Sequence, residues 1–248
     1  MVAAWLCRQK IIMKTALITG ANRGLGMGFV EYLLDSKYLV FAGIRNPQLF
    51  NKKIKKNPNL KLITLDVTKD ISIKRAVHSV SKQVKQLDIL INNAGVNKDS
   101  ATNNKKNLVC DLKYLNREKL LTMFNVNSIS PIIILKEFSD LLKSRPSFVI
   151  NISSCRASFH DEYKNMTGNY GYRASKIALN MFTFCSIFDL PKNIKSFAVH
   201  PGNVKTDMNT DGKQLPYTQA DKIIAITENW QDKFNGKFLR FDGRFYPL

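Results

Sequence analysis

Short apolar segments of strand length alternate with helical segments along most of this chain of 248 residues. The helical periodicity is clearest in four segments, 25–35, 70–85, 117–143 and 171–190, with about seven strands before, between and after them. Regular alternation of this kind predicts a parallel sheet with helices on both faces. No internal repeat or long Pro/Gly/Ser linker interrupts it, so we predict a single-domain α/β fold with a doubly wound parallel sheet.

The length and composition of the chain agree with one domain. Its residues are 44% hydrophobic, enough to bury a sizeable core in an α/β domain of this length. We expect that domain at 14–248 and an N-terminal extension at 1–13. The apolar run of the extension is broken by Arg8, Gln9 and Lys10, so it predicts neither a signal peptide nor a membrane span, and we expect a cytoplasmic protein.

A glycine-rich turn follows the first predicted strand and precedes the first helix. The strand at 14–19 leads into Gly20, Gly24 and Gly26, spaced Gly-x-x-x-Gly-x-Gly. Glycines let a pyrophosphate approach the backbone, and the following helix N-terminus offers unpaired N–H groups and a partial positive charge. The pattern indicates a dinucleotide site, although the glycines alone fit a turn without a ligand equally well.

Polar residues also follow three later strands, at the point where each strand ends. They are Asn92 and Asn93 after the strand at 87–91, Ser153 and Ser154 after the strand at 147–152, and the segment 200–208 after the strand at 196–199. In an open parallel sheet, ligands bind at the carboxyl ends of the strands. We therefore expect these residues to lie around one site.

Tyr172 and Lys176 carry the strongest chemical signal in the sequence. They lie one helical turn apart in the predicted helix, so their side chains would share a face. The ammonium should then stabilise the phenolate and lower the pKa of the tyrosine from its usual ~10, which gives a proton donor near neutral pH. A Tyr-x-x-x-Lys match is weak alone in a Lys-rich chain, and Tyr170, which has Ala174 at the same spacing, serves as a control.

These motifs together resemble the short-chain dehydrogenase/reductase family, in its classical branch, over residues 14 to about 241. The segments 172–180, 200–208 and 236–243 are most similar to the C-factor-like and carbonyl-reductase-like members. The resemblance implies a Rossmann fold and hydride transfer between a nicotinamide and a carbonyl or alcohol group. It also implies a homodimer or homotetramer that pairs through the helix at 171–190.

The resemblance gives four residues a role in catalysis. Tyr172 would be the general acid/base, Lys176 would lower its pKa and hold the nicotinamide ribose, and Ser154 would orient the carbonyl. These roles suit the chemistry, because hydride addition puts negative charge on the substrate oxygen. Asn127 would hold a water in the proton relay, although from the sequence alone a surface amide on a helix is the favoured interpretation. The residues implied to bind the cofactor are Gly20, Asn22, Arg23, Gly24, Leu25, Gly26, Arg45, Asp66, Val67, Asn93, Ala94, Gly95, Tyr172, Lys176, Pro201, Gly202, Val204 and Thr206.

The second strand indicates which nicotinamide cofactor is preferred. An NAD site presents an acidic side chain about 20 residues past the glycines, but here the strand at 38–43 is followed by Arg45 and no acid. Arg23 provides a second guanidinium, and its forked donors suit a phosphate. By resemblance, basic residues at these two positions are typical of NADP-preferring members, so we predict NADP(H) over NAD(H). Asp66 would bind the adenine amino group, or alternatively cap a helix.

Two alternatives belong to different functional classes. The net charge of +19 suggests nucleic acid, an anionic membrane or an acidic partner, but the basic residues are dispersed, so we predict a solvated surface with no specific nucleic-acid or membrane site. The second alternative is an NADP(H)-binding sensor or signalling protein with little or no turnover. The set of Ser154, Tyr172 and Lys176 favours an enzyme with a small-molecule carbonyl or alcohol substrate.

The remaining candidate residues concern metal, redox state and the substrate pocket. The cysteines, which are scattered and predict free thiols in a reducing compartment, are Cys7, Cys110, Cys155 and Cys185. The three histidines lie far apart in the sequence, so we predict no metal site. The residues expected to line an apolar substrate pocket are Val96, Phe159, Tyr163 and Met208.

Overall fold

The computed structural model describes residues 13–97, 112, 115–160 and 168–248. The strands in these ranges are β1 (Thr15–Thr19), β2 (Leu39–Ile44), β3 (Leu60–Thr64), β4 (Ile89–Asn92), β5 (Ser147–Ile152), β6 (Ile194–His200) and β7 (Phe238–Arg240). All pair in parallel in one seven-stranded sheet of order β3-β2-β1-β4-β5-β6-β7. The predicted single-domain, doubly wound α/β fold is therefore confirmed.

Helices cover both faces of the sheet. They are α1 (Gly24–Asp35), α2 (Asp70–Ser81), α3 (Arg117–Phe124), α4 (Ser130–Leu142), α5 (Tyr170–Asp189) and α6 (Pro216–Glu228). Side chains of α1 and α6 pack in one buried cluster and those of α2 and α4 in another, while α5 contacts α3 and α4. Along β1, Ala16 and Ile18 enter the first cluster and Leu17 the second, as expected from the alternation of side chains along a strand. None of the helices in the described ranges has the length and apolar character needed to span a membrane.

The strand order reverses between β1 and β4, which are neighbours although β2 and β3 separate them in sequence. This reversal leaves a crevice outside the carboxyl ends of the strands, where open α/β sheets bind ligands. The glycine-rich turn follows β1, the Asn-Asn-Ala-Gly segment follows β4, and Ser154 follows β5. The polar strand ends therefore lie at one edge, as the sequence predicts.

The predicted helix at 117–143 is wrong in one respect. A π-helical turn, Asn125–Ile129, lies between α3 and α4 and contains the candidate residue Asn127. A π-helix has i→i+5 hydrogen bonds, so it contains one residue more per turn than the α-helix around it, and such turns are frequent at functional sites. The expected extension at 1–13 lies almost entirely outside the described residues, and the domain boundary stays a prediction.

Candidate active site

The glycine-rich turn is held against the segment after β4. Gly20 and Gly24 have positive φ angles of 64° and 52°, a conformation that favours glycine. Asn93 donates from Nδ2 to the carbonyls of Thr19 (2.9 Å) and Gly20 (3.2 Å). Gly26 lies so close to the carbonyl of Gly20 and the amide of Asn93 that a Cβ would not fit. The turn therefore has a fixed shape, and its backbone approaches the neighbouring segment closely.

Thr19 is a residue of this site that sequence reasoning did not single out. Its Oγ1 accepts hydrogen bonds from the backbone N–H groups of both Asn93 and Ala94, each at 3.0 Å. Thr19 thereby fixes the cofactor-binding candidates after β4 relative to the turn after β1. The signal available in the sequence was a hydroxyl residue at the last position of the strand, directly before Gly20.

Asn127 is fully buried in the π-helical turn, so the alternative of a surface amide is excluded. Its Nδ2 donates to the carbonyl of Val96 (2.9 Å) and to Ser175 Oγ (3.0 Å), while its Oδ1 accepts the N–H of Val96 (2.9 Å). Ser175 in turn donates to the backbone carbonyl of Tyr172 at 2.9 Å. The amide therefore connects the segment after β4 with the helix that carries Tyr172 and Lys176.

Lys176 lies among the catalytic candidates with only 4% of its surface exposed. Its Nζ donates to the carbonyl of Ile152 at 2.7 Å and lies 5.9 Å from the centroid of the Tyr172 ring. Burial lowers the pKa of Lys176 to about 8. The side chain therefore bridges the end of β5 and the face of the tyrosine.

The direction predicted for the pKa of Tyr172 is wrong in this structure. Burial raises the pKa, and it outweighs a hydrogen bond with Ser154 and the charge of Arg156, both of which lower it. Ser154 begins a 3₁₀ turn, Cys155–Ala157, and its Oγ also accepts the N–H of Arg156 at 3.2 Å. The serine and tyrosine hydroxyls are thus in contact, and the phenol stays protonated at neutral pH.

The predicted 2′-phosphate residues lie at the solvent-exposed end of the site. Arg45 is exposed, and its charge acts on the carboxyl group of Asp66. Burial raises the pKa of Asp66, but hydrogen bonds from Thr68 and the charges of Lys69 and Arg45 lower it, and the net pKa lies below the usual value. Asp66 accepts from the N–H and Oγ1 of Thr68 (3.1 and 2.7 Å), and the residue that caps α2 is Lys69, which excludes the helix-cap alternative.

Arg23 forms an ion pair with Asp207, with 2.7 Å between Nη1 and Oδ2. Both side chains are highly exposed, at 63% and 72%, so this ion pair is weak and easily exchanged. Thr206 lies beside Gly24, and Gly202 has a φ of 85°. The structure therefore brings the segment after β6 against the glycine-rich turn, as expected if both contact one ligand.

The remaining candidates are placed as follows. Asn22 lies in the glycine-rich turn, and Leu25 lies in the first turn of α1. Val67 is half-buried after β3, and Gly95 and Val204 lie in the segments after β4 and β6. The carbonyl of Pro201 accepts a hydrogen bond from Gln219. Phe159 and Met208 are 76% and 49% exposed, and Tyr163, Cys7 and Cys110 lie outside the described residues. In the described part of the chain, no group of three or more His, Cys, Asp or Glu side chains could hold a metal ion.

A cavity of about 380 Å³ lies away from this site. It lies at the opposite edge of the sheet, among Lys14, Asp88 and Arg145 at the start of β1, β4 and β5. None of the predicted catalytic or cofactor-binding residues lines it. Tyr172, Lys176 and the strand reversal all lie at the carboxyl ends of the strands. We therefore take that edge of the sheet, and not this cavity, as the candidate functional site.

A glycine-rich turn at the strand reversal of a parallel, doubly wound sheet is the arrangement of a Rossmann fold. The sequence model described as "short chain dehydrogenase" matches residues 14–215, and the chain belongs to this family. Among solved structures, the NADPH-bound carbonyl reductase from chicken fatty liver is 31% identical, covers 95% of this chain and 99% of its own, and has a TM-score of 0.83.

Other relatives are similar at the same level. The carbonyl reductase Sniffer of D. melanogaster is 29% identical, with a TM-score of 0.83 and coverage of 96% of this chain and 100% of its own. An uncharacterised oxidoreductase of Schizosaccharomyces pombe is 28% identical over 95% of this chain and 98% of its own. The predicted similarity to carbonyl reductases is confirmed.

Proposed function

We propose that the protein is an NADP(H)-dependent oxidoreductase that transfers a hydride between the nicotinamide and a carbonyl or alcohol group. The observation that supports this most is the convergence of the Tyr172 phenol, the Ser154 hydroxyl and the Lys176 ammonium at the carboxyl edge of the sheet. The similarity to an NADPH-bound carbonyl reductase supports the same class of cofactor and substrate.

The residues present fit such a cofactor. The glycine-rich turn and the N-terminus of α1 would hold the pyrophosphate, and the exposed guanidiniums of Arg23 and Arg45 would hold a ribose 2′-phosphate. An ideal Cβ on Gly95 would be in ordinary van der Waals contact with Asn127 Oδ1 (3.4 Å) and Lys176 Nζ (3.7 Å), so the backbone after β4 lies directly beside both groups. When bound, the nicotinamide supplies or accepts the hydride.

The chain's own residues supply the proton and the electrostatics. Tyr172 would donate a proton to the substrate oxygen in the reductive direction, and Ser154 would offer a second hydrogen bond to the same oxygen. The buried charge of Lys176 would stabilise the phenolate that forms, because it lies over the ring in a poorly solvated position. Asn127 and Ser175 hold the segments that carry these groups, which fits a proton relay.

The substitution Tyr172→Phe tests the catalytic role. It deletes the donor oxygen but keeps the ring, so hydride transfer measured by stopped flow is expected to fall by at least ~10²–10⁴-fold, while NADPH affinity measured by fluorescence stays nearly unchanged. Tyr170→Phe is the control, since Tyr170 is on the same helix but 44% exposed. Full turnover in Tyr172→Phe would refute the assignment. A protein that binds NADPH but reduces no carbonyl compound in a broad screen would support the sensor alternative.

The substitution Arg45→Ala tests the cofactor preference. A hydrogen bond to a charged group is worth about 1.5–3 kcal/mol, so NADPH binding should weaken roughly 10- to 150-fold with little change for NADH. Arg75→Ala, which removes an exposed arginine from α2, is the charge-matched control. Equal affinity of the unsubstituted protein for NADH and NADPH would contradict the proposal.

We also propose a homodimer or homotetramer that forms through α5. This helix exposes Met181 (57%), Phe184 (41%) and Phe188 (72%), an apolar surface of the kind that subunits bury. Sedimentation of the protein and of Phe188→Asp tests this, because the charged variant should be the smaller species. We further propose that the protein is cytoplasmic and has no specific nucleic-acid or membrane partner. Binding to DNA or to lipid vesicles at physiological salt would contradict this proposal.

A further inference from the structure

His200 contacts the serine-bearing turn, although the proposed mechanism does not use it. It is the last residue of β6 and directly precedes Pro201 and Gly202. Its Nδ1 accepts the backbone N–H of Cys155 at 3.1 Å. Cys155 is the first residue of the 3₁₀ turn and directly follows Ser154. One imidazole therefore connects the serine of the catalytic cluster with the segment expected to contact the cofactor.

The N–H of Cys155 depends on this contact. At the start of a helical turn the first N–H groups have no partner within the turn, so another group must accept them. In the turn at 155–157, the hydroxyl of Ser154 takes the N–H of Arg156 and the carbonyl of Ser154 takes that of Ala157. The N–H of Cys155 donates to His200 Nδ1.

The ring of His200 is held in the form that this hydrogen bond requires. Only an unprotonated Nδ1 accepts, so the neutral tautomer carries its proton on Nε2. Burial and the positive charge of Arg240 lower the pKa of His200 to about 4, which keeps the ring neutral at physiological pH. The edge of the ring also packs against Tyr246, with centroids 5.2 Å apart.

We propose that His200 is a positioning residue for the hydride-transfer reaction, acting through the Cys155 N–H on the hydroxyl of Ser154. The inference rests on the proposed function, because it requires Ser154 to orient a substrate carbonyl. Loss of the imidazole frees the turn, and displacement of a substrate-orienting group by about 1 Å is enough to slow a reaction on the order of 10²-fold. His200 itself transfers no proton in this mechanism.

A matched pair of substitutions tests the contact. His200→Asn places an amide oxygen at the same bond position as Nδ1, whereas His200→Leu has a similar size and no acceptor. We expect kcat to fall about 10- to 100-fold in His200→Leu and to stay within about threefold of the wild type in His200→Asn, with NADPH affinity unchanged in both. Equal kcat in the two variants would overturn the proposal.

A double-mutant cycle separates positioning from a general structural role. If His200 acts through Ser154, then His200→Leu should add little to the loss already caused by Ser154→Ala, whereas independent effects multiply. Multiplicative losses would overturn the proposal.

Cys155→Pro provides a second approach if His200→Leu does not fold. It deletes the same hydrogen bond from the donor side, and the extended backbone of Ser154 (φ −158°, ψ 150°) suits a following proline. Cys155→Ser is its control, since it changes the thiol and keeps the N–H. An inactive wild type would refute the proposed function as well, whereas an active wild type with full kcat in both Cys155→Pro and His200→Leu would refute only the role of His200.

Discussion

Lys176→Met is a quantitative test of the electrostatics of this site. Lys176 is 4% exposed, and its Nζ donates to a backbone carbonyl rather than to an acidic side chain. Burial lowers its pKa from 10.5 to about 8. Since one pKa unit corresponds to about 1.4 kcal/mol, keeping this lysine charged destabilises the folded protein by roughly 3 kcal/mol at neutral pH.

The sign of the pH dependence follows from proton binding. Between pH 8 and pH 10.5 the unfolded chain holds more protons at Lys176 than the folded protein does, so this residue makes the free energy of unfolding rise with pH. Lys176→Met removes that contribution and leaves the other titrating groups in place. The free energy of unfolding of the wild type, minus that of the variant, is therefore expected to rise by about 2 kcal/mol between pH 7 and pH 10.

Urea denaturation followed by tryptophan fluorescence at several pH values measures this difference. Lys136→Met is the control, because Lys136 is 74% exposed on α4 and its substitution should give a difference that is flat with pH. A flat difference for Lys176→Met would refute the reasoning. Because Lys176 would also serve proton transfer and the nicotinamide ribose, the variant should lose turnover and NADPH affinity together.

Two further predictions concern the rest of the framework. Asp88→Ala should lower the free energy of unfolding, measured by urea denaturation, by about 2–3 kcal/mol. The reason is that Asp88 accepts two hydrogen bonds from Arg145 (2.6 and 2.8 Å) and one from a backbone N–H of β1. Asp140→Ala, at an exposed carboxylate, is the control and should change the free energy of unfolding by less than ~0.5 kcal/mol. Gly26→Ala should unfold at clearly lower urea than Gly95→Ala, since a methyl fits only at Gly95, and equal midpoints would contradict the packing of the turn.

Much of this architecture could be predicted from the sequence, because hydrophobic alternation and strand ends are local signals. The parallel sheet, the carboxyl-edge site and the pairing of Tyr172 with Lys176 on one helix face all follow from period and spacing. The roles predicted for the site residues came from the family resemblance and not from period or spacing. The boundaries of α1 agree within one residue of the predicted helix at 25–35.

The parts that could not be predicted depend on tertiary packing. The direction of the pKa of Tyr172 is set by how deeply α5 buries it, which no spacing encodes. The contacts of Arg23 with Asp207 and of Cys155 with His200 join residues 184 and 45 positions apart. Asn127 appeared to be a surface amide because one inserted residue changes the apolar pattern of a long helix too little to be seen.

That inserted residue has a consequence for how the chain can change in length. A π-helical turn takes up one extra residue within a single wide turn, so deleting one residue there would restore regular helix and leave the buried faces of α3 and α4 in register. Ile134, Leu135 and Phe138 would then keep their places in the core. A single-residue deletion within Asn125–Ile129 is therefore expected to preserve the fold but to lower turnover, because it removes the wide turn that places Asn127 between Val96 and Ser175.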